Sequence, residues 1–417
     1  MTIGRSRCYR VLAAAVCVLI GGPLEQAAAR GYASAQGGGP AARSDAGSLG
    51  YDYLESAPGG SVSHDSNLFQ VSGLLTSPQS DTLGTGYIGL CLDDPYSWQR
   101  VQPDATATGY RIDRSSCRDF DGFDYRAPLR WRLGPRVSGS LKASRAQTLF
   151  QDPLSNQRST RTIENYGIDV DGWIADGWHV LAGLAHFSST GENSAFQDSS
   201  DYQQDNLDAG VKYLSTTGSD IAILWRKIER DQDDRLLNNV NVPSTEVYRQ
   251  DETELRGTWI ISAESTLTGR VTYVDRRYDL SPPHDFSGSA GKIGFSWRPT
   301  SKIDLRLSAV RAIEPWKSLS STYRASHNFV IAPTWQATDE ISVSAGVRRT
   351  YDDFPSAEAG VPNREDKIDH AVLSAKWRPM RNLTVNATAF REQRSANVPL
   401  VDDSATVGTI DAEFSFF

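Results

Sequence analysis

Beyond its first two dozen residues this 417-residue chain has no long apolar run, and its mean hydropathy is negative at -0.43. A membrane-crossing helix needs about 20 consecutive, mostly apolar residues, so helical spans are excluded. Apolar spacing at three and four residues is almost absent, which argues against amphipathic helices as well. There is no G-x-S-x-G, no H-E-x-x-H, no phosphate-binding glycine loop and no paired-cysteine metal motif, so neither an enzyme nor a cofactor is expected. The six histidines are scattered; His179 and His186 share a segment but fall on opposite faces of a strand, so a shared metal is not expected. Segregated charge is missing too. A formal net charge of -8 is spread as mixed signs along the chain, and nucleic acid is not an expected partner.

What is present begins with targeting. Arg5, Arg7 and Arg10 precede an apolar stretch from Val11 to about Leu24, followed by small-residue sites at Ala27-Ala28-Ala29 and Ala33-Ser34-Ala35. That is the pattern of a secretory signal peptide, assigned to residues 1–35, and its short apolar core cannot span a bilayer. Cys17 raises a lipoprotein reading, but Val16 before it does not fit the small residue such a cleavage site needs. Residues 36–60 are rich in Gly, Ala, Ser and Pro and read as a flexible periplasmic lead. Residues 61–417 read as the folded domain.

From Asn67 onward, apolar and polar residues alternate in segments of about 9 to 14 residues, the length of a tilted barrel strand. Ile303, Leu305, Leu307 and Ala309 alternate with Asp304, Arg306 and Ser308. The same pattern holds at Ile341 to Arg348, Leu383 to Ala389 and Ile410 to Phe416. A half-buried soluble sheet also alternates. Segment length, full charges on the polar face and recurrence about every 40 residues favour a membrane barrel.

The recurrence is concrete. Trp297-Arg298-Pro299-Thr300, Trp335-Gln336-Ala337-Thr338 and Trp377-Arg378-Pro379-Met380 each end one segment with a Trp, make a short polar turn, and open the next on an aliphatic residue. Fainter copies lie at Trp131 with Gly134-Pro135, Trp173 to Trp178, Tyr213 to Ile221 and Trp259 to Leu267. The other connections are long and polar, among them 231–247, 352–366 and 393–403. Short turns on one side and long loops on the other are the asymmetry of bacterial outer-membrane barrels. Trp131, Trp259, Trp297, Trp335 and Trp377 then form a girdle at the periplasmic interface, ring in lipid and N–H toward the headgroups. The expected fold is all-β, a transmembrane antiparallel up-and-down β-barrel of about 18 strands. Leu68 to Leu75, Tyr87 to Leu92 and Arg100 to Arg111 alternate weakly, so 16 strands is the alternative. At the chain end the apolar register puts Phe416, not Phe417, on the lipid face.

The same register turns Arg126, Arg130, Lys142, Asp169, Asp171, Asp208, Lys212, Arg226, Glu254, Arg256, Arg270, Lys292, Asp304, Arg306, Arg348, Lys376, Asp411 and Glu413 into the lumen. Such a mixed wall can hydrogen-bond hydroxyl-rich or weakly anionic solutes without trapping them; pairing across strands that only stiffens the wall is the other reading. Asp119 to Asp124 carries carboxylates at alternate positions beside Gly122, a pattern that could bind calcium in a loop, though a solvated loop fits better because the distal Glu is missing. Cys91 and Cys117 are expected at opposite ends of their strands, too far apart for a disulfide.

Asp65-Ser66-Asn67-Leu68-Phe69, Ser97-Trp98-Gln99-Arg100, Trp131-Arg132-Leu133-Gly134 with Val137-Ser138-Gly139, and Gln147-Thr148-Leu149-Phe150-Gln151-Asp152 resemble, in order and spacing, the EpsL-like members of the β-barrel porin-2 group, outer-membrane proteins linked to exopolysaccharide gene clusters. The resemblance covers roughly residues 65 to 190. It implies an outer-membrane conduit for a secreted polysaccharide, working with an inner-membrane polymerisation system and a periplasmic polysaccharide-export protein, and it implies no catalytic residues. Outer-membrane lipid and the barrel-assembly machinery are the other expected partners, reached after Sec-type secretion. An uptake porin for general or sugar solutes, with 231–247 as the candidate constriction loop, is the second expectation. A plugged adhesive or structural barrel is the third.

Overall fold

The computed structural model describes residues 54–67, 80–92, 94–96, 99–113, 119–151, 158–191, 201–231, 235–237, 240–242, 247–279, 285–315, 323–355, 363–398 and 402–416. Eighteen antiparallel strands form one closed wall, and no helix occurs among the described residues. In chain order they are β1 Leu54–Asp65, β2 Asp81–Leu92, β3 Asp104–Ile112, β4 in two pieces Phe120–Arg126 and Leu129–Leu133, β5 Val137–Gln151, β6 Arg158–Ala175, β7 Trp178–Gly191, β8 Tyr202–Leu214, β9 Asp220–Asp231, β10 Tyr248–Ile260, β11 Ser265–Tyr278, β12 Phe286–Thr300, β13 Ile303–Pro315, β14 Tyr323–Gln336, β15 Ile341–Phe354, β16 Arg364–Met380, β17 Leu383–Ala396 and β18 Asp403–Phe414. Each pairs with its chain neighbours, and β1 pairs with β18 from Gly59↔Glu413 to Asp65↔Val407, which closes the ring. Two short hairpins stand outside this count: Asp94–Tyr96 with Gln99–Val101, and Arg235–Leu237 with Val240–Val242.

Closure is what makes such a wall viable in lipid, because an open edge would leave backbone N–H and C=O groups without partners. The exterior completes the argument. Ile221, Val271, Ile331, Val347, Leu373 and Ile410 point out and are exposed. On a water-facing surface such a band would be an aggregation hazard; in a bilayer it is the lipid contact. Trp259, Trp297, Trp335 and Trp377 are exposed just above the short turns, and Trp178 joins them at that level, while Trp173 stands opposite His179 on the inner face. Trp131 stands in register with Gly139 and its indole covers that glycine, where a Cβ would lie 2.4 Å from the ring. Taking the short turns as periplasmic, the outward charges collect on the outer halves of the strands as ion pairs: His186 with Asp205 at 2.8 Å, Lys227 with Glu229 at 2.7 Å, Arg277 with Asp275 at 3.1 Å and Arg349 with Asp369 at 2.6 Å.

The Trp-Arg-Pro repeat has a mechanical meaning. The ladder shifts between Trp297 and Thr300 and again between Trp377 and Met380, so each copy is a bulge, and the proline occupies a position that owes the ladder no N–H. The arginine then straps the bulge to the preceding turn: Arg298 donates from Nη2 to Ala263 O at 3.3 Å, and Arg378 to Asp339 O at 3.0 Å. Replacing both arginines by alanine is expected to cost about 0.5–1.5 kcal/mol per strap, read as a lower urea midpoint for folding into lipid vesicles.

Two expectations need correction. The wall starts at Leu54, not after residue 60; residues 57–60, Ala-Pro-Gly-Gly, read as the end of the flexible lead, run straight through β1. Tyr87 lies over Gly59, where a Cβ would come within 2.3 Å of the phenol, and the β18 ladder skips Pro58. The segment Leu68 to Leu75, read as the first strand, lies outside the described residues. Asp119 to Asp124 forms neither a calcium loop nor a solvated one: Phe120–Arg126 is a strand, Asp121 pairs outward with Arg111 at 2.9 Å, and Asp124 accepts the N–H of Gln147 at 2.7 Å. Cys91 is buried at the periplasmic end of β2, and Cys117 lies outside the described residues.

Candidate functional site in the barrel lumen

Inside the wall the chemistry inverts, because alternation sends every second side chain inward. The outer half of that inner face is closed around itself. Arg324 on β14 lies between Glu314 of β13 and Asp352 of β15, all three nearly sealed from solvent. Arg348 reaches Glu392 at 3.4 Å. Arg364 and Arg394 both engage Asp366, whose carboxylate is fully covered. Arg276 donates from Nε to Gln250 at 2.6 Å and lies over the Tyr248 ring, which packs with Tyr278 and Ile228. Charges this deep are tolerable only because each guanidinium has a carboxylate or an aromatic face against it.

The periplasmic half is different. Lys142 on β5 is 54% exposed and pairs with Asp169 of β6; Arg306 on β13 is 50% exposed and pairs with Asp304 at 3.0 Å. Lys212 of β8 and His179 of β7 converge on Asp171. Arg226 of β9 holds Asp208 and, at 3.0 Å, Glu252 of β10. Arg256 and Arg270 are 44% and 52% exposed and reach the buried Glu254 only at 3.7 and 3.9 Å. Lys292 of β12 stands opposite Arg270.

The remaining positions singled out in the sequence are also on this face. Arg126 stands opposite Asp104, and Arg130 opposite Ser140. Lys376 stands opposite Asn386, whose amide donates to Asp411 at 2.9 Å. Arg348 belongs with the closed outer half, and Asp411 and Glu413 are buried near the β18–β1 seam rather than open to the lumen. Sequence reading passed over Glu252 beside Arg226 and the outer-half carboxylates Glu314, Asp352, Asp366 and Glu392. Strand parity alone could have found them: Asp352 is four residues along β15 from Arg348, on the same face. The two hairpin strands of 231–247 are described, but not where the segment's side chains point. No group of three or more metal-ligating side chains occurs among the described residues.

This arrangement can pass or hold a small polar solute. No family model and no curated protein sequence matches the chain. Solved structures do. The chain is similar to the outer membrane protein OpdK from Pseudomonas aeruginosa, at TM-score 0.51 and 13% identity over 87% of this chain and 99% of that one. A structure of Pseudomonas aeruginosa OpdK with vanillate matches at TM-score 0.51 and 12% identity, with the same coverage. At these identities the likeness is one of fold: an 18-stranded outer-membrane barrel.

Proposed function

We propose that the barrel is an outer-membrane uptake channel for small polar solutes. The observation that carries this reading is the axial contrast inside the wall. Solvent reaches Lys142, Arg256, Arg270 and Arg306 in the periplasmic half, whereas paired side chains fill the face of the outer half. A wide polymer would need an open bore at both levels; a small solute needs only a narrow, hydrogen-bonding one. The likeness to OpdK, one structure of which holds vanillate, is in keeping with a small cargo. Sec-type secretion and insertion by the barrel-assembly machinery belong to this reading as its route to the membrane.

The test is liposome swelling and single-channel recording with the purified, refolded chain. Pentoses and hexoses are expected to enter and larger oligosaccharides to be retarded. A barrel with neither swelling nor conductance would instead be a closed structural or adhesive one. Exopolysaccharide export with a periplasmic export partner is the second reading. It rests on the resemblance running from Asp65-Ser66-Asn67 to Gln151-Asp152 and draws no support from the matched folds. A gene deletion that leaves polymer in the periplasm would install it in place of uptake; normal polymer output would remove it.

A further inference from the structure

Arg256 on β10, Arg270 on β11 and Lys292 on β12 are directly opposite one another in register, Arg256↔Arg270 and Arg270↔Lys292, and all three point into the lumen. Neighbouring strands lie about 4.8 Å apart, so the row is about 10 Å long. Like charges directly opposite destabilise a sheet, and a wall built only for stiffness would place carboxylates between them. It does so next door, where Arg226 has Asp208 and Glu252 and also reaches Glu254 at 3.9 Å. In the row only Glu254 is present. Its side chain is 3% exposed, it takes the Thr272 hydroxyl at 3.5 Å, and it sits 3.7 and 3.9 Å from Arg256 and Arg270. Lys292 makes no ion pair among the described residues. Because Glu254 also reaches Arg226, the connected cluster holds four cations, Arg226, Arg256, Arg270 and Lys292, against three carboxylates, Asp208, Glu252 and Glu254, an excess of +1 that falls on the row, where Arg256 and Arg270 are about half open to water.

We infer that this row is a binding site for a phosphate-type dianion carried by the permeating solute. It rests on the channel reading, which brings the solute to it, and adds the solute's chemistry. The excess positive charge attracts an anion, and three cationic side chains in a row offer more donors than a monoanion can use. A tetrahedral oxyanion presents oxygens in several directions at once and so engages both guanidinia and the ammonium. A monocarboxylate is satisfied by one arginine fork and leaves the other arginine and the lysine without an oxygen to bind. Glu254, on the outer side of Arg256 along β10, is shared by both arginines and keeps the site from binding too tightly for release, a condition for conduction.

The experiment is calorimetric titration of inorganic phosphate, at pH 8 and low salt, into the folded protein in detergent, with potassium chloride conductance recorded in parallel. Phosphate is expected to bind at about millimolar affinity. Arg270→Gln should weaken it about tenfold, the Arg256→Gln/Lys292→Gln pair should abolish it, and Arg270→Lys should retain part of it. Arg311→Gln, on the outward face of β13, should leave it unchanged. Migration as a compact band in unheated gels shows that each variant is folded. Acetate should bind at least tenfold more weakly than phosphate. Absence of phosphate binding by the wild-type barrel, or equal binding by the Arg270→Gln variant, overturns the site while leaving a conducting channel intact. Succinate binding as tightly as phosphate overturns the tetrahedral assignment. Phosphate binding without conductance leaves the site standing and removes the uptake reading.

Discussion

Replacing Arg324 with methionine is expected to cost the barrel about 3–5 kcal/mol. The side chain is 7% exposed and is the shared cation of Glu314 and Asp352, themselves 8% and 2% exposed. Removing it leaves two carboxylates on adjacent sides of β14 facing each other's charge without water. Either one takes up a proton or the strands part, and each route carries free energy out of the native state. The measurement is the urea midpoint for folding into short-chain lipid vesicles, followed by tryptophan fluorescence. The decisive companion replaces all three residues with apolar ones of similar volume. A buried ion cluster exchanged whole for well-packed apolar groups is often neutral or stabilising, so the triple variant should recover most of the loss. If the single and triple variants are equally unstable, it is the packing of this region and not its electrostatics that matters.

The second large effect is expected at the turn between β6 and β7. Asp176 and Gly177 have φ of 47° and 84°, the paired positive values of a tight hairpin turn. A Cβ on Gly177 would lie 2.3 Å from the backbone oxygen of Leu214, on the neighbouring strand β8, and Gly177 O also accepts the Leu214 N–H at 2.8 Å. Valine there meets two penalties: left-handed geometry, about 1–2 kcal/mol for an ordinary side chain, and a collision with backbone that can be relieved only by moving β8. Gly177→Val should therefore fail to reach the compact, heat-modifiable form in refolding assays. Gly134 is the control. Its φ is 64° but nothing lies within 4 Å of its Cβ position. Gly134→Ala should refold with a loss of about 1 kcal/mol, and equal failure of both variants would show that backbone strain, not contact with β8, is what the turn cannot bear.

How much of this was legible in the sequence varies along the chain. From Ile303 onward, strict alternation and the Trp-marked turns fix both strand number and facing, because a one-residue slip would put Arg306 or Arg348 into lipid. The N-terminal wall was harder. Ala57-Pro58-Gly59-Gly60 carries every local turn signal, and only the Tyr87 ring lying across Gly59 explains why a strand passes there. Similarly, β4 breaks at Ala127-Pro128, where the chain bridges to β5 through the Ala127 N–H and Ala143 O at 2.7 Å. In the lumen, parity identified which charges face inward but not which of them meet. The opposition of Arg256, Arg270 and Lys292 depends on turn lengths at 261–264 and on the 279–285 connection, and no local pattern encodes it. Nor does alternation tell a covered inward arginine from a wet one; Arg324 and Arg306 occupy equivalent parities at different depths.

The outward placement of Ile221, Val271, Ile331 and Ile410, with a largely polar interior behind them, has a thermodynamic corollary. A water-soluble domain carries its own apolar solvent within it, and its stability is a property of the chain. Here that solvent is the host's hydrocarbon, so the folding free energy belongs jointly to polypeptide and acyl chains. Mismatch between belt height and bilayer thickness carries fractions of a kcal/mol per Å. Stability measured in a lipid two carbons longer or shorter is thus a different quantity.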